Sequence, residues 1–240
     1  MDMTVKQMLG QKLIFGFHGT ELSEEFIQLI REYKIGNVIL FLRNVESAGQ
    51  LRKLCAQVQE LIQAETGYPA FIVIDQEGGM VSRLPTDAVN VPGAMAISAT
   101  ENTENARIAA EITIRQLRGL GVNFNMAPVL DVNLNPANPV IGVRSTGDDP
   151  ERVARFGEAA VRAYENTGVY CCGSRVSHQL SCYIASVPSV QRCQAPVRIS
   201  GRTAQGTSGI GKEDGRRDTS SSAPPGRTFQ SNQYIGLQLS

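Results

Sequence analysis

Apolar residues in this chain fall into short β-branched runs, separated by longer stretches with helical spacing. Residues 13–17, 38–42, 71–74, 122–128 and 169–172 are the runs. Continuous apolar runs of this length predict strands buried on both faces. Between them, Phe26, Leu29, Ile30 and Tyr33 share one helical face, as do Leu51, Leu54, Cys55, Val58, Leu61 and Ile62. Two further sets repeat the spacing: Ala106, Ile108, Ala109, Ile112, Leu117 and Leu120, then Val153, Phe156, Ala160, Val161 and Tyr164. Ser23, Ser47, Asn102 or Thr103, and Asp149 followed by Pro150 stand where N-caps are expected. A short helix from Thr4 precedes the first strand. Gly36, Gly67, Gly119 with Gly121, and Gly168 are the expected stops, and residues 85–100 the expected loop. Strands alternating with helices predict right-handed βαβ units and a parallel sheet. Both a doubly wound sheet and a (β/α)8 barrel satisfy the pattern.

After Gly173 the periodicity stops. Twelve of the residues from Ser174 to Ser240 are serine, and the stretch Cys182-Tyr183-Ile184-Ala185 reads as an accident rather than an element. The composition predicts disorder, because too little apolar surface is available to offset chain ordering. Gly206-Thr207-Ser208-Gly209-Ile210-Gly211-Lys212 matches the start of a phosphate-binding loop. Glu213 then stands where a metal-binding hydroxyl is required, and no strand precedes it, so no nucleotide site is expected.

Charge sharpens this division. The formal net charge is zero, which predicts neither a nucleic-acid nor a membrane partner. Yet residues 174–240 hold eight basic and three acidic residues, against fifteen and twenty in residues 1–173. Two domains are therefore expected, 1–173 and an unrelated low-complexity tail, 174–240. The five cysteines form no ligand pattern, so no metal site is expected and a reducing compartment is favoured. With no apolar leader and no membrane-length apolar run, the expectation is a cytoplasmic protein.

Candidate chemistry gathers in residues 71–84. The apolar run ends at Asp75-Gln76-Glu77, then Gly78-Gly79, with Arg83 close behind. Ligands bind at the C-terminal ends of strands in parallel α/β folds. A glycine pair lets the backbone turn sharply and approach a ligand closely.

These residues carry a resemblance. Ile74-Asp75-Gln76-Glu77-Gly78-Gly79, with Val81, Arg83 and Leu84, resembles the signature of glycoside hydrolase family 3, in its β-N-acetylhexosaminidase branch. Residues 121–132 and the run Asn138-Pro139-Val140-Ile141-Gly142-Val143-Arg144-Ser145 agree, in the same order. The resemblance covers about residues 3–173. It implies α/β architecture with about five βα units, the first half of a TIM (β/α)8 barrel, followed by the aperiodic tail. It implies a retaining exo-β-N-acetylglucosaminidase, which removes terminal N-acetylglucosamine from cell-wall or chitin-derived glycans without a cofactor. It also implies that Asp75 and Arg144 bind the sugar. The alternative for Arg144 is an ion pair with Asp131, Asp148 or Asp149.

Retaining glycosidases need two carboxyl groups about 5–5.5 Å apart. In the family, strand five runs into Lys-His-Phe-Pro-Gly-His-Gly, which leads to the acid/base, and a later aspartate is the nucleophile. Here Gly173 is followed by Ser174-Arg175-Val176-Ser177-His178. The neighbours of His178 do not match, Asp214 and Asp218 match nothing, and no catalytic residue is assigned. A shift of reading frame after codon 173 would produce such a junction. The expectation is a weakly active or inactive truncated hydrolase. The alternatives are a sugar-binding pseudoenzyme and a non-functional product. In a half barrel, strands one and five are expected to be unpaired edges, with an inner face that lacks its opposite wall.

Overall fold

The computed structural model describes residues 3–174 and the backbone of 183–185. The elements are α1 (Val5–Gly10), β1 (Ile14–Phe15), α2 (Glu24–Tyr33), β2 (Asn37–Leu40), α3 (Ala48–Thr66) and β3 (Phe71–Ile74). There follow α4 (Ala94–Ser98), α5 (Thr103–Leu120), β4 (Phe124–Asn125), α6 (Pro150–Arg162), β5 (Tyr170–Gly173) and β6 (Tyr183–Ala185). Strands β1 to β5 lie side by side in chain order, all parallel. This is the order that successive right-handed βα units produce.

The helices start where the side-chain caps stand. The Thr4, Ser23, Ser47, Asn102 and Asp149 side chains each accept an N–H from the first turn of their helix. The stops are less regular. Helix α2 ends at Lys34, held in the left-handed region at φ 54°, and not at Gly36. Gly36 instead donates its N–H to the Gly10 carbonyl at 3.0 Å, tying α1 to the approach to β2. Gly119 lies inside α5, and Gly121 alone is its cap. The expected 85–100 loop contains α4, whose N-cap Gly93 offers no side-chain acceptor and so leaves no signal in the sequence.

Strand residues alternate between two cores, as the period of two requires. Val38, Leu40, Ile72, Ile74 and Cys171 face the helices, against Leu51, Leu54, Val58, Ile114 and Leu117. Ile39, Val73, Phe124 and Cys172, one from each of four neighbouring strands, form a second cluster on the opposite face. In a barrel such a layer would lie on the inner side of the wall. Its four residues are buried, flanked by Phe41, Met126 and Tyr170.

The expectation of two open edges is also corrected. Strand β6 pairs antiparallel with β5, through Cys171 with Ala185, Cys172 with Ile184 and Gly173 with Tyr183. The ladder groups that β5 would have presented to solvent are met by a returning strand. Strand β1 remains the open edge among the described residues, with Leu13 and Ile14 exposed beside it.

Three asparagines extend the short ladders. Asn37 accepts the Phe71 N–H and donates to the carbonyls of Gln11 and Leu13. Asn123 accepts the Ile72 N–H at 2.7 Å and donates to the Ala70 carbonyl at 2.8 Å. Asn125, fully buried, accepts the Gln76 N–H and donates to the Gln76 carbonyl, both at 2.9 Å. Each amide accepts one backbone N–H and donates to at least one backbone carbonyl near the ends of the short strands.

Burial also sets the chemistry of the thiols. Cys55 and Cys171 lie in the core, and loss of solvation pushes their pKa up to about 12 and about 11. A thiol that stays protonated does not react. Iodoacetamide at pH 8 is therefore expected to leave Cys55, Cys171 and Cys172 unmodified in the native chain and to label all three in guanidinium, as read by peptide mass spectrometry. The unfolded thiols ionise near 9, so stability is full below that pH and falls as pH rises towards 11 and 12. Thermal melts between pH 8 and 11 measure that slope.

Candidate functional site

Strand β3 delivers Asp75, buried, to the C-terminal edge of the sheet. The next residue builds the loop. Gln76 is almost wholly buried, and its Oε1 accepts the N–H groups of Arg83 at 2.7 Å and Leu84 at 3.2 Å. Its amide also bonds the Ser82 hydroxyl. One side chain thus closes residues 76–84 into a tight loop.

Within that loop the N–H groups of Glu77 and Gly78 both reach the Val81 carbonyl. Gly78 and Gly79 have φ of 90° and 57°, a region that L side chains rarely occupy. The sharp turn expected from the glycine pair is present. The close approach is made to protein, since a Cβ on Gly78 would meet Val91 at 2.7 Å and one on Gly79 would meet the Gly93 Cα at 2.7 Å. The pair docks the 76–84 loop onto the 91–93 segment.

Glu77 is the pivot of the arrangement. Its carboxylate accepts Arg144 Nε at 2.9 Å and Nη2 at 2.7 Å, and the Val140 carbonyl accepts Nη1 at 3.0 Å. The two side chains are 8% and 19% exposed. Arg144 closes a single 3-10 turn, Gly142–Arg144. The residue after it, Ser145, is fully buried; its hydroxyl donates to the Asp131 carbonyl at 2.6 Å and accepts the Gly147 N–H at 3.1 Å. The loop after β4 is thereby fixed against the loop after β3. A desolvated, two-pronged pair of this kind is costly to break, because either partner alone is a buried uncompensated charge.

The two sugar-site residues read from the sequence are therefore brought to adjoining loops. Asp75 begins one and Arg144 ends a turn of the other, and neither is a free group. The sequence reading missed the link between them. Glu77 lies in the quoted signature, but nothing local marked it as the partner of a residue 67 positions away. Asn125 was missed too, and its signal was a polar residue between Phe124 and Met126, where an apolar one is expected. His178, Asp214, Asp218 and the Gly206–Lys212 loop lie outside the described residues. Among the described residues no three His, Cys, Asp or Glu side chains gather as metal ligands.

A cavity of about 70 Å³ lies against the Glu77–Arg144 pair, walled by Ile97, Ala106, Ala110 and Phe156. At roughly 10–15 Å³ per water it has room for a few water molecules. Asp75 does not line it.

Residues 1–174 match the glycosyl hydrolase family 3 N-terminal domain. The chain belongs to glycoside hydrolase family 3. A beta-hexosaminidase A of Pseudoalteromonas piscicida is 38% identical over 190 residues, covering 70% of this chain and 32% of the relative. A beta-hexosaminidase of Pseudomonas aeruginosa (strain LESB58) is 32% identical over 162 residues, covering 67% and 47%. Among solved structures, a family 3 β-N-acetylglucosaminidase from Paenibacillus sp. str. FPU-7 is 46% identical with a TM-score of 0.68, covering 71% of this chain and 32% of that one. NagZ from Neisseria gonorrhoeae, in complex with N-trifluoroacetyl-D-glucosamine, is 27% identical with a TM-score of 0.61, covering 69% and 49%. The chain spans a third to a half of these family members, and the shared part is the N-terminal part of their TIM barrel. The question left open by strand alternation is thus decided for the barrel.

Proposed function

We propose that this chain carries the N-acetylglucosamine-binding part of a retaining exo-β-N-acetylglucosaminidase, with Asp75 and Arg144 as the sugar-binding residues. The observation that carries the reading is the fixing of Arg144, by a two-pronged bond to Glu77, onto the loop that Asp75 begins. A carboxylate accepts sugar hydroxyls, and a planar guanidinium donates to hydroxyl or amide oxygens. The substrate class rests on the relatives, which are beta-hexosaminidases. The family 3 residues end at about 173, and the tail beyond is unrelated to them. The sequence after β5 carries no Lys-His-Phe-Pro-Gly-His-Gly run, so binding without appreciable turnover is expected. We also propose a cytoplasmic location, from an odd number of cysteines without a disulfide framework. No helix among the described residues is long and apolar enough to cross a membrane.

The test is calorimetric titration of the full chain with methyl β-N-acetylglucosaminide, beside an assay of 4-nitrophenyl β-N-acetylglucosaminide hydrolysis. Saturable binding that Asp75→Ala abolishes, with no release of nitrophenol, is the expected result. Turnover at a rate typical of enzymes, about 1–1,000 per second, would overturn the binding-only reading. Absence of saturation would overturn sugar recognition altogether.

A further inference from the structure

We infer that Glu77 is a positioning residue, which sets the plane of the Arg144 guanidinium for the sugar and does not itself touch it. The inference rests on the sugar-binding reading of Arg144 and adds the group that makes Arg144 competent.

The geometry supplies the reason. Arginine has five N–H donors in a rigid plane. Nε and Nη2 are bound by the two Glu77 oxygens and Nη1 by the Val140 carbonyl, at 2.7–3.0 Å. Three contacts at three nitrogens of one plane fix both its tilt and its rotation. A single contact would leave the plane free to swing about one bond. Both Glu77 oxygens point at Arg144, and its side chain is more deeply buried than that of Arg144. Glu77 is thus the anchor, and Arg144 the more exposed partner.

The backbone of Glu77 is fixed independently. Its N–H is bound to the Val81 carbonyl at 3.0 Å, and the preceding residue is held through both backbone groups by Asn125. The chain of restraint runs from β4, through Asn125 and Gln76, to Glu77 and then to the guanidinium. A lysine at 144 would keep the charge and lose the fork, so the positioning would fail although the attraction survived.

The test uses the full chain with methyl β-N-acetylglucosaminide, by calorimetry, on Glu77→Gln, Arg144→Lys and the double variant. Each single change is expected to weaken binding about tenfold, the equivalent of one misplaced charge-assisted hydrogen bond. The double variant is expected to bind no more weakly than Arg144→Lys alone, because Glu77 acts only through Arg144. Circular dichroism melts establish that each variant is folded at the assay temperature. Should Glu77→Gln fail to fold, Glu77→Asp keeps the charge on a shorter arm and is expected to weaken binding several-fold. Wild-type affinity in that variant would overturn the inference. A second readout needs no ligand: the Arg144 Nε–H proton resonance, held against a carboxylate, is expected to lose its downfield shift in Glu77→Gln. If Arg144→Lys weakens binding and Glu77→Gln does not, positioning by Glu77 is wrong and the sugar reading stands. If the wild type does not bind at all, both fall.

Discussion

Asn125→Leu is expected to lower the unfolding free energy by about 3–5 kcal/mol, measured by urea denaturation of the full chain. Leucine fills similar space and removes every hydrogen bond. The Gln76 N–H and carbonyl lose their partners, and so does the Tyr164 hydroxyl, which accepts from Asn125 at 2.8 Å. All three groups are buried, and each orphaned group costs about 1–3 kcal/mol. Tyr164→Phe is the internal comparison. It removes one oxygen and leaves Asn125 bonded to Gln76, so a loss of about 1 kcal/mol is expected. A change below about 1 kcal/mol in Asn125→Leu would mean that water reaches Gln76 and that the clamp is not structural. Sugar binding is expected to weaken in Asn125→Leu even at temperatures where the chain is folded, because Asp75 and Glu77 flank the residue being held.

Gly79→Ala is expected to destabilise by about 3 kcal/mol, and Gly119→Ala to stabilise by about 1 kcal/mol. The same methyl group acts in opposite directions because its surroundings differ. At Gly79 the backbone is at φ 57°, and the new carbon would lie 2.7 Å from the Gly93 Cα and 2.9 Å from its nitrogen. Those are backbone atoms, so relief requires the 76–84 loop to move off the 91–93 segment. The left-handed conformation adds about 1 kcal/mol or more for a residue with a Cβ. At Gly119 nothing lies within 4 Å and the residue sits in α5. Alanine there lowers the entropy lost on folding and touches nothing. Thermal unfolding of the two variants in parallel tests the contrast. Equal shifts of the same sign would show that the glycine pair has no steric function.

The sequence was most informative where local chemistry decides structure. The helix starts were legible, because Thr4, Ser23, Ser47, Asn102 and Asp149 supply their own capping oxygens. The run Phe71–Ile74 matched its strand residue for residue. Strand length was overestimated after β3. Residues 122–128 read as one strand, yet the strand proper is Phe124–Asn125, with single backbone bonds from Asn123 to Ile72 and from Met126 to Ile74 on either side. Lys34 ended α2 in a conformation that no pattern assigns to lysine. Helix α4 was invisible, having five residues and no side-chain cap. Asp75 and Arg144 were named through the resemblance, and the structure places them on adjoining loops. Glu77 as their link was not named, because a contact across 67 positions leaves no trace in local spacing.

The three asparagine amides have a further consequence, for register. Asn123 and Asn125 each read the β3 segment like a two-pin connector, one pin for an N–H and one for a C=O, and Asn37 takes its N–H from β3 and its C=O groups from the chain ahead of β1. A strand displaced by one residue turns every side chain to the other face of the sheet. In such a slipped state Asn37 and Asn123 would meet mismatched pins, and Asp75 would exchange places with a residue of the helix-facing core. The address of Asp75 at the C-terminal end of β3 is therefore written on the flanking segments, at the start of β2 and just ahead of β4, and mispairing is penalised before any ligand arrives.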